Sequence, residues 1–111
     1  MLRARRGSPA PSCKKTEYPG DKYVCVLVSV EIEPNALVAR HTHPGVESSY
    51  LISGSATLSV KGQTDRVLKA GDGFQIPPKV PHSARNGPET SRIIATCIVE
   101  KDKPLASPAP E

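Results

Sequence analysis

The chain has 111 residues, 37% of them apolar and 23% charged, which is enough for one compact domain and too little for two. That apolar fraction excludes a wholly disordered chain, and no apolar stretch approaches the length of a membrane span. Tyr18, Tyr23, Tyr50 and Phe74 are the only aromatics besides histidine, too few for the stacking platforms of a single-strand nucleic-acid binder.

The net charge of +4 sits at one end. Residues 1–15 carry Arg3, Arg5, Arg6, Lys14 and Lys15 and no acid, leaving ten basic and eleven acidic residues elsewhere. This segment reads as a flexible basic arm on a nearly neutral domain, with neither nucleic acid nor membrane expected as a partner. Gly7-Ser8-Pro9-Ala10-Pro11-Ser12 stands where a secretory leader would have its apolar region, so no export signal is expected. The three cysteines, Cys13, Cys25 and Cys97, form no CxxC pair, which favours reduced thiols and a cytoplasmic setting.

Twelve prolines and eight glycines punctuate the chain and favour short strands over long helices. Residues 23–32 (YVCVLVSVEI) place Val24, Val26, Val28, Val30 and Ile32 on one face at period two. Cys25 and Leu27 make the other face apolar as well, so this strand is expected to be covered on both sides, by a second sheet or a subunit. Pro34-Asn35 turns the chain into a strand over 36–43, and Pro44-Gly45 turns it into 46–53. Gly54 opens a turn into 55–61, and Gly62-Gln63 makes a tight hairpin into 64–68. Strands over 74–76, 80–86 and 91–100 follow, separated by turns at 70–73 and 77–79. The last is again apolar on both faces. Residues 101–111, rich in proline and alanine, read as an extended tail. Eight short, closely spaced strands without any helical period make residues 16–100 an all-β sandwich or barrel.

The three histidines of the sequence are His41, His43 and His82. His41 and His43 stand two apart in one strand, so their imidazoles share a face. The turn at Pro44-Gly45 can return Glu47 to the same point, and His82 follows a proline-stiffened turn. Three imidazoles and a carboxylate converging inside a barrel make a site for a first-row transition metal. By alternation, Ser49 and Leu51 share the face of Glu47, while Tyr50 points away as barrel exterior or dimer contact. Arg40 and Arg85 also point away from the metal. Gln75 is a candidate group around the site, Phe74 and Ile76 read as core, and Cys25 and Cys97 as small buried hydrophobes. Asp65, Asp72 and Glu89 fall in or beside turns and read as solvated.

The stretch Asn35-(x5)-His41-x-His43-(x3)-Glu47-(x6)-Gly54 resembles the first cupin motif. Gly71-(x5)-Pro77-x-Lys79-(x2)-His82-(x3)-Asn86 resembles the second. The resemblance implies a single-domain double-stranded β-helix, the jelly-roll barrel of the cupins, with His41, His43, Glu47 and His82 as metal ligands. It also implies a homodimer and a small-molecule substrate. In quercetinase-like cupins, which this chain resembles, the glutamate doubles as the base, and that role falls here on Glu47. Nitrogen and oxygen donors without thiolate favour iron, manganese or nickel, with zinc and copper compatible. The implied activity is a dioxygenase or other oxidoreductase; a metal-dependent lyase or isomerase, or a ligand-binding cupin without turnover, would use the same ligands. Two positions depart from the motifs. Asn35 replaces a glycine and tolerates a left-handed backbone. Lys79 also replaces a glycine, and would be strained by about 1 kcal/mol if it kept positive φ, or unstrained in a type I turn.

Overall fold

A computed structural model describes residues 13–110 of the chain; residues 1–12 of the arm expected over 1–15 lie outside the described residues. The first five strands are β1 (Cys13–Glu17), β2 (Tyr23–Ile32), β3 (Leu37–Thr42), β4 (Gly45–Ser53) and β5 (Ser55–Val60). They are followed by β6 (Arg66–Lys69), β7 (Gly73–Ile76), β8 (His82–Asn86), β9 (Ser91–Glu100) and β10 (Ser107–Pro108). The eight strands expected from alternation all form, with ends displaced by at most two residues. Pairing is antiparallel throughout, in two five-stranded sheets ordered β1-β2-β9-β4-β7 and β10-β3-β8-β5-β6. No helix among the described residues is long and apolar enough to cross a membrane.

Each sheet turns one side chain in two toward the other sheet. Val26, Val28, Val30 and Ile32 of β2 meet Ala95, Cys97 and Val99 of β9 and Val38 of β3 in one buried cluster. Leu51, Leu58, Val60, Leu68 and Ile76 form a second. The polar residues His41, His43, Glu47, Ser49 and His82 are buried as well. Asn86 staples the turn ends: its side-chain NH2 donates to the carbonyls of Ile32, Glu33 and Glu89, and its Oδ1 accepts from Ser91 Oγ.

Several expectations are corrected here. β1 begins at Cys13, so residues 13–15 of the expected arm pair with β2 instead. The expected tail returns as β10, with Ser107 opposite Thr42 and Pro108 opposite His41. Among the described residues β2 is covered on one face only, with Leu27 46% exposed, so of the two expected covers a second sheet is not the one found on its outer face. Cys97 is buried as expected, but Cys25 on the outer face of β2 is only half-buried. Asn35 takes a left-handed backbone at φ 61°, and Lys79 does so too at φ 64°, so the type I alternative at Pro78-Lys79 is not adopted. Gly54, at φ 89°, could not be otherwise: a Cβ there would lie 2.7 Å from the Ser91 Cα.

Candidate metal centre

Strict alternation in β3 conflicts with its own burial pattern. Val38 and His41 both face inward although they stand three positions apart. The conflict is resolved by an irregularity in the ladder: Val38 pairs with Ala84 but His41 with His82, so β3 carries one extra residue between these pairs. The bulge resets the alternation and brings His41, rather than Arg40, to the interior. It also leaves the Ala39 carbonyl free to accept from His41 Nδ1 at 2.7 Å.

The other two imidazoles are locked the same way. His43 Nδ1 donates to the carbonyl of Leu105 at 2.8 Å, and His82 Nδ1 to that of Val80 at 3.0 Å. The turn before His82 is tied to the end of β3 by the left-handed Lys79, whose backbone N–H donates to the His43 carbonyl at 2.9 Å. With each Nδ1 carrying its proton outward to a carbonyl, each Nε2 turns a lone pair inward. The three Nε2 atoms lie within 4.8 Å of one another and are buried, and the only group that faces those of His43 and His82 within hydrogen-bonding range is Glu47. Glu47 comes from the opposite sheet. Its Oε1 lies 3.0 Å from His43 Nε2 and 3.4 Å from His82 Nε2, while Oε2 accepts from Ser49 Oγ at 2.5 Å.

Three lone pairs and a carboxylate oxygen make a buried cluster of acceptors, which a cation must hold together. A proton can do part of this. Burial alone would lower the His43 pKa, but the bond to Glu47 and the Leu105 carbonyl outweigh it and raise it. Burial would raise the Glu47 pKa, yet bonds from His43, His82 and Ser49 hold it well below the usual carboxylate range. Burial pushes the His41 pKa down to about 4, against the Ala39 carbonyl and with the help of His82 and His43. A proton between His43 and Glu47 would satisfy that pair alone, while His41, with its pKa near 4, keeps a bare nitrogen at neutral pH. A metal ion satisfies all of them, and the three buried histidines can hold one.

His41, His43, Glu47 and His82 are thus brought together as expected. Ser49 and Leu51 share the Glu47 face, and Tyr50 points out, 51% exposed. Gln75 is not at the site; its Nε2 donates to Ser48 Oγ on the outer face. Ile76 is core and Phe74 packs against the same cluster, as expected, while Phe74 also walls a cavity beside His41 and Glu47. Asp72 caps the turn after β6, accepting from the Lys69 N–H. Sequence reasoning gave Ser49 no role although its parity with Glu47 was visible. It missed Leu105 altogether, because a carbonyl carries no residue signature.

The fold and this centre define a double-stranded β-helix with a histidine-rich interior. The cupin-domain family matches residues 28–99, and the chain belongs to that family. It is 36% identical over 81 residues to the 3-hydroxyanthranilate 3,4-dioxygenase of Burkholderia cenocepacia, which covers 70% of this chain and 44% of that enzyme. The chain thus spans less than half of that relative. A Klebsiella pneumoniae protein with a double-stranded β-helix domain superposes with a TM-score of 0.63 at 25% identity, covering 99% of this chain and 91% of that one. The DMSP lyase DddQ of Ruegeria pomeroyi superposes with a TM-score of 0.70 at 18% identity, covering 90% and 52% respectively, and shares the fold.

Proposed function

We propose that this cupin is a metal-dependent enzyme acting on a small molecule, an oxidoreductase of the dioxygenase type. His41, His43, His82 and Glu47 would hold one divalent ion, with iron, manganese or nickel favoured. The observation that carries this reading is the set of three Nε2 lone pairs, each fixed by an outward Nδ1 bond, facing one carboxylate oxygen. The identity to a named dioxygenase supports the reaction class. When bound, such an ion would supply Lewis acidity and, if redox-active, a path for electrons from the substrate to dioxygen.

The protein's own residues divide the remaining work. The backbone carbonyls of Ala39, Val80 and Leu105 fix the tautomer and orientation of the three rings. Glu47 is held ionised, with Oε2 anchored to Ser49 and Oε1 facing the histidines, so Oε1 is the group that would take and return a substrate proton when it swings off the ion. The exposed apolar side chains Leu27, Tyr50 and Ile52, on the outer face of β2 and β4, support association of two copies. A monomeric mass in light scattering at micromolar concentration would refute the dimer.

The decisive test is elemental analysis of untagged protein beside His82→Ala, followed by oxygen uptake with each ion restored. About one equivalent of metal, lost in the variant, with uptake supported by iron, is the expected result. No metal after incubation with every ion refutes the reading. Turnover with a redox-inert ion would make the protein a lyase or isomerase instead, and ligand binding without turnover a binding protein.

A further inference from the structure

Beside the histidines a small, partly open cavity of about 50 Å³ reaches into the barrel. Its walls are apolar, built from Val38, Leu58, Phe74, Ala84 and Ile93 among others, and its polar groups are His41, Glu47, His82 and Ser83. Among the described residues no arginine, lysine or amide side chain lines it. Lys79 and Lys103 stand in a separate surface hollow on the other side of His43, each within 4 Å of Glu100. The larger surface concavity near β1 also holds lysines, but Lys101 there pairs with Glu17.

Two quantities then restrict what the centre can accept. A cavity of roughly 150 Å³ is needed for benzene, and one water occupies roughly 30 Å³ of liquid, so this space takes two or three non-hydrogen atoms. A charge on that portion would be buried against aliphatic walls with no counter-charge, which is strongly unfavourable. We infer that the substrate is a small molecule with one metal-binding head and a short, uncharged tail of two or three non-hydrogen atoms lodged against Val38, Phe74 and Ala84. This rests on the metal-centre reading above. An aromatic ring or a second carboxylate would have to stay outside this cavity.

The test uses thiols that share one head and differ in the tail, titrated against the cobalt(II)-loaded protein and followed by its visible absorption. Ethanethiol is expected to half-saturate at a concentration at least tenfold lower than mercaptoacetate, whose tail is charged, or thiophenol, whose tail is too large. Phe74→Ala should admit thiophenol, and Ala84→Leu should abolish the ethanethiol response while the cobalt spectrum persists. If Phe74→Ala does not fold, Ala84→Leu and the wild-type ranking decide. Mercaptoacetate or thiophenol binding as tightly as ethanethiol would overturn the inference, as would an unchanged ethanethiol response in Ala84→Leu. Failure of the underlying metal-centre reading is distinguishable, because the wild type would then develop no cobalt spectrum at all.

Discussion

Removing residues 104–111 tests whether the C-terminal segment belongs to the metal centre. The deletion takes away the Leu105 carbonyl that holds His43 Nδ1 at 2.8 Å, together with the pairing of β10 to β3 and the Ala109 N–H bond to the Arg40 carbonyl. A histidine ligand that loses its outer partner costs about 10–100-fold in metal affinity, or about 1.4–2.7 kcal/mol. The Leu105 side chain packs on the β2–β9 core cluster, and losing its partial burial removes about 1 kcal/mol of fold stability. The two effects separate in Leu105→Ala, which keeps the carbonyl and should lose only the stability. Competition of each protein with a chelator for cobalt(II), beside urea unfolding of the metal-free forms, measures both quantities. A truncated chain that folds and keeps its metal affinity within twofold would refute the role given to Leu105, and so would a tenfold loss in Leu105→Ala.

Three further outcomes are expected. Gly45→Ala should cost more than about 3 kcal/mol in urea unfolding, or prevent folding, since no rotamer can relieve backbone overlap. Its Cβ would lie 1.8 Å from the Ile98 carbonyl oxygen and 2.6 Å from the Val99 Cα, and a loss below 1 kcal/mol would refute this packing. Asn86→Ala should cost about 3 kcal/mol by the same measurement, because it leaves the Ile32, Glu33 and Glu89 carbonyls without their shared donor. For metal-free protein, His41 binds its proton near pH 6.5 when unfolded but only near pH 4 when folded. Stability from this group therefore falls as pH drops through that window. His41→Asn should gain on the wild type by about 1–2 kcal/mol between pH 7 and pH 4, a figure reduced for solvent screening. Parallel pH profiles for the two proteins would contradict the burial argument.

The strands were legible because apolar side chains alternate and Gly or Pro marks each turn, so Tyr23–Ile32 and Ser91–Glu100 were read to the residue. The four site residues were legible because imidazoles and a carboxylate are rare, chemically distinct letters at telling spacings. What stayed hidden was carried by backbone. The bulge in β3 left no mark, and without it alternation from Val38 would have turned Arg40 inward. The Leu105 carbonyl looks like any other, and a Pro-Ala composition hid a segment that pairs through only two residues. Gln75 was misplaced because a polar residue near the second motif suggests the site, whereas its register opposite Ser48 turns it outward. The outer face of β2 was apolar in sequence, and only the assembled sheets show that none of the described residues covers Leu27.

His41 and His43 are neighbours along the chain, while His82 joins them only once β3 has paired with β8. An unfolded chain therefore keeps a two-imidazole clamp of its own. Metal stabilises the folded state through the ratio of its affinities for the two forms, since binding to the unfolded chain subtracts from the effect. The rise in unfolding free energy with ion concentration should consequently level off instead of climbing without limit. In the proposed centre, the height of that plateau would measure what His82 and Glu47 contribute beyond the local pair.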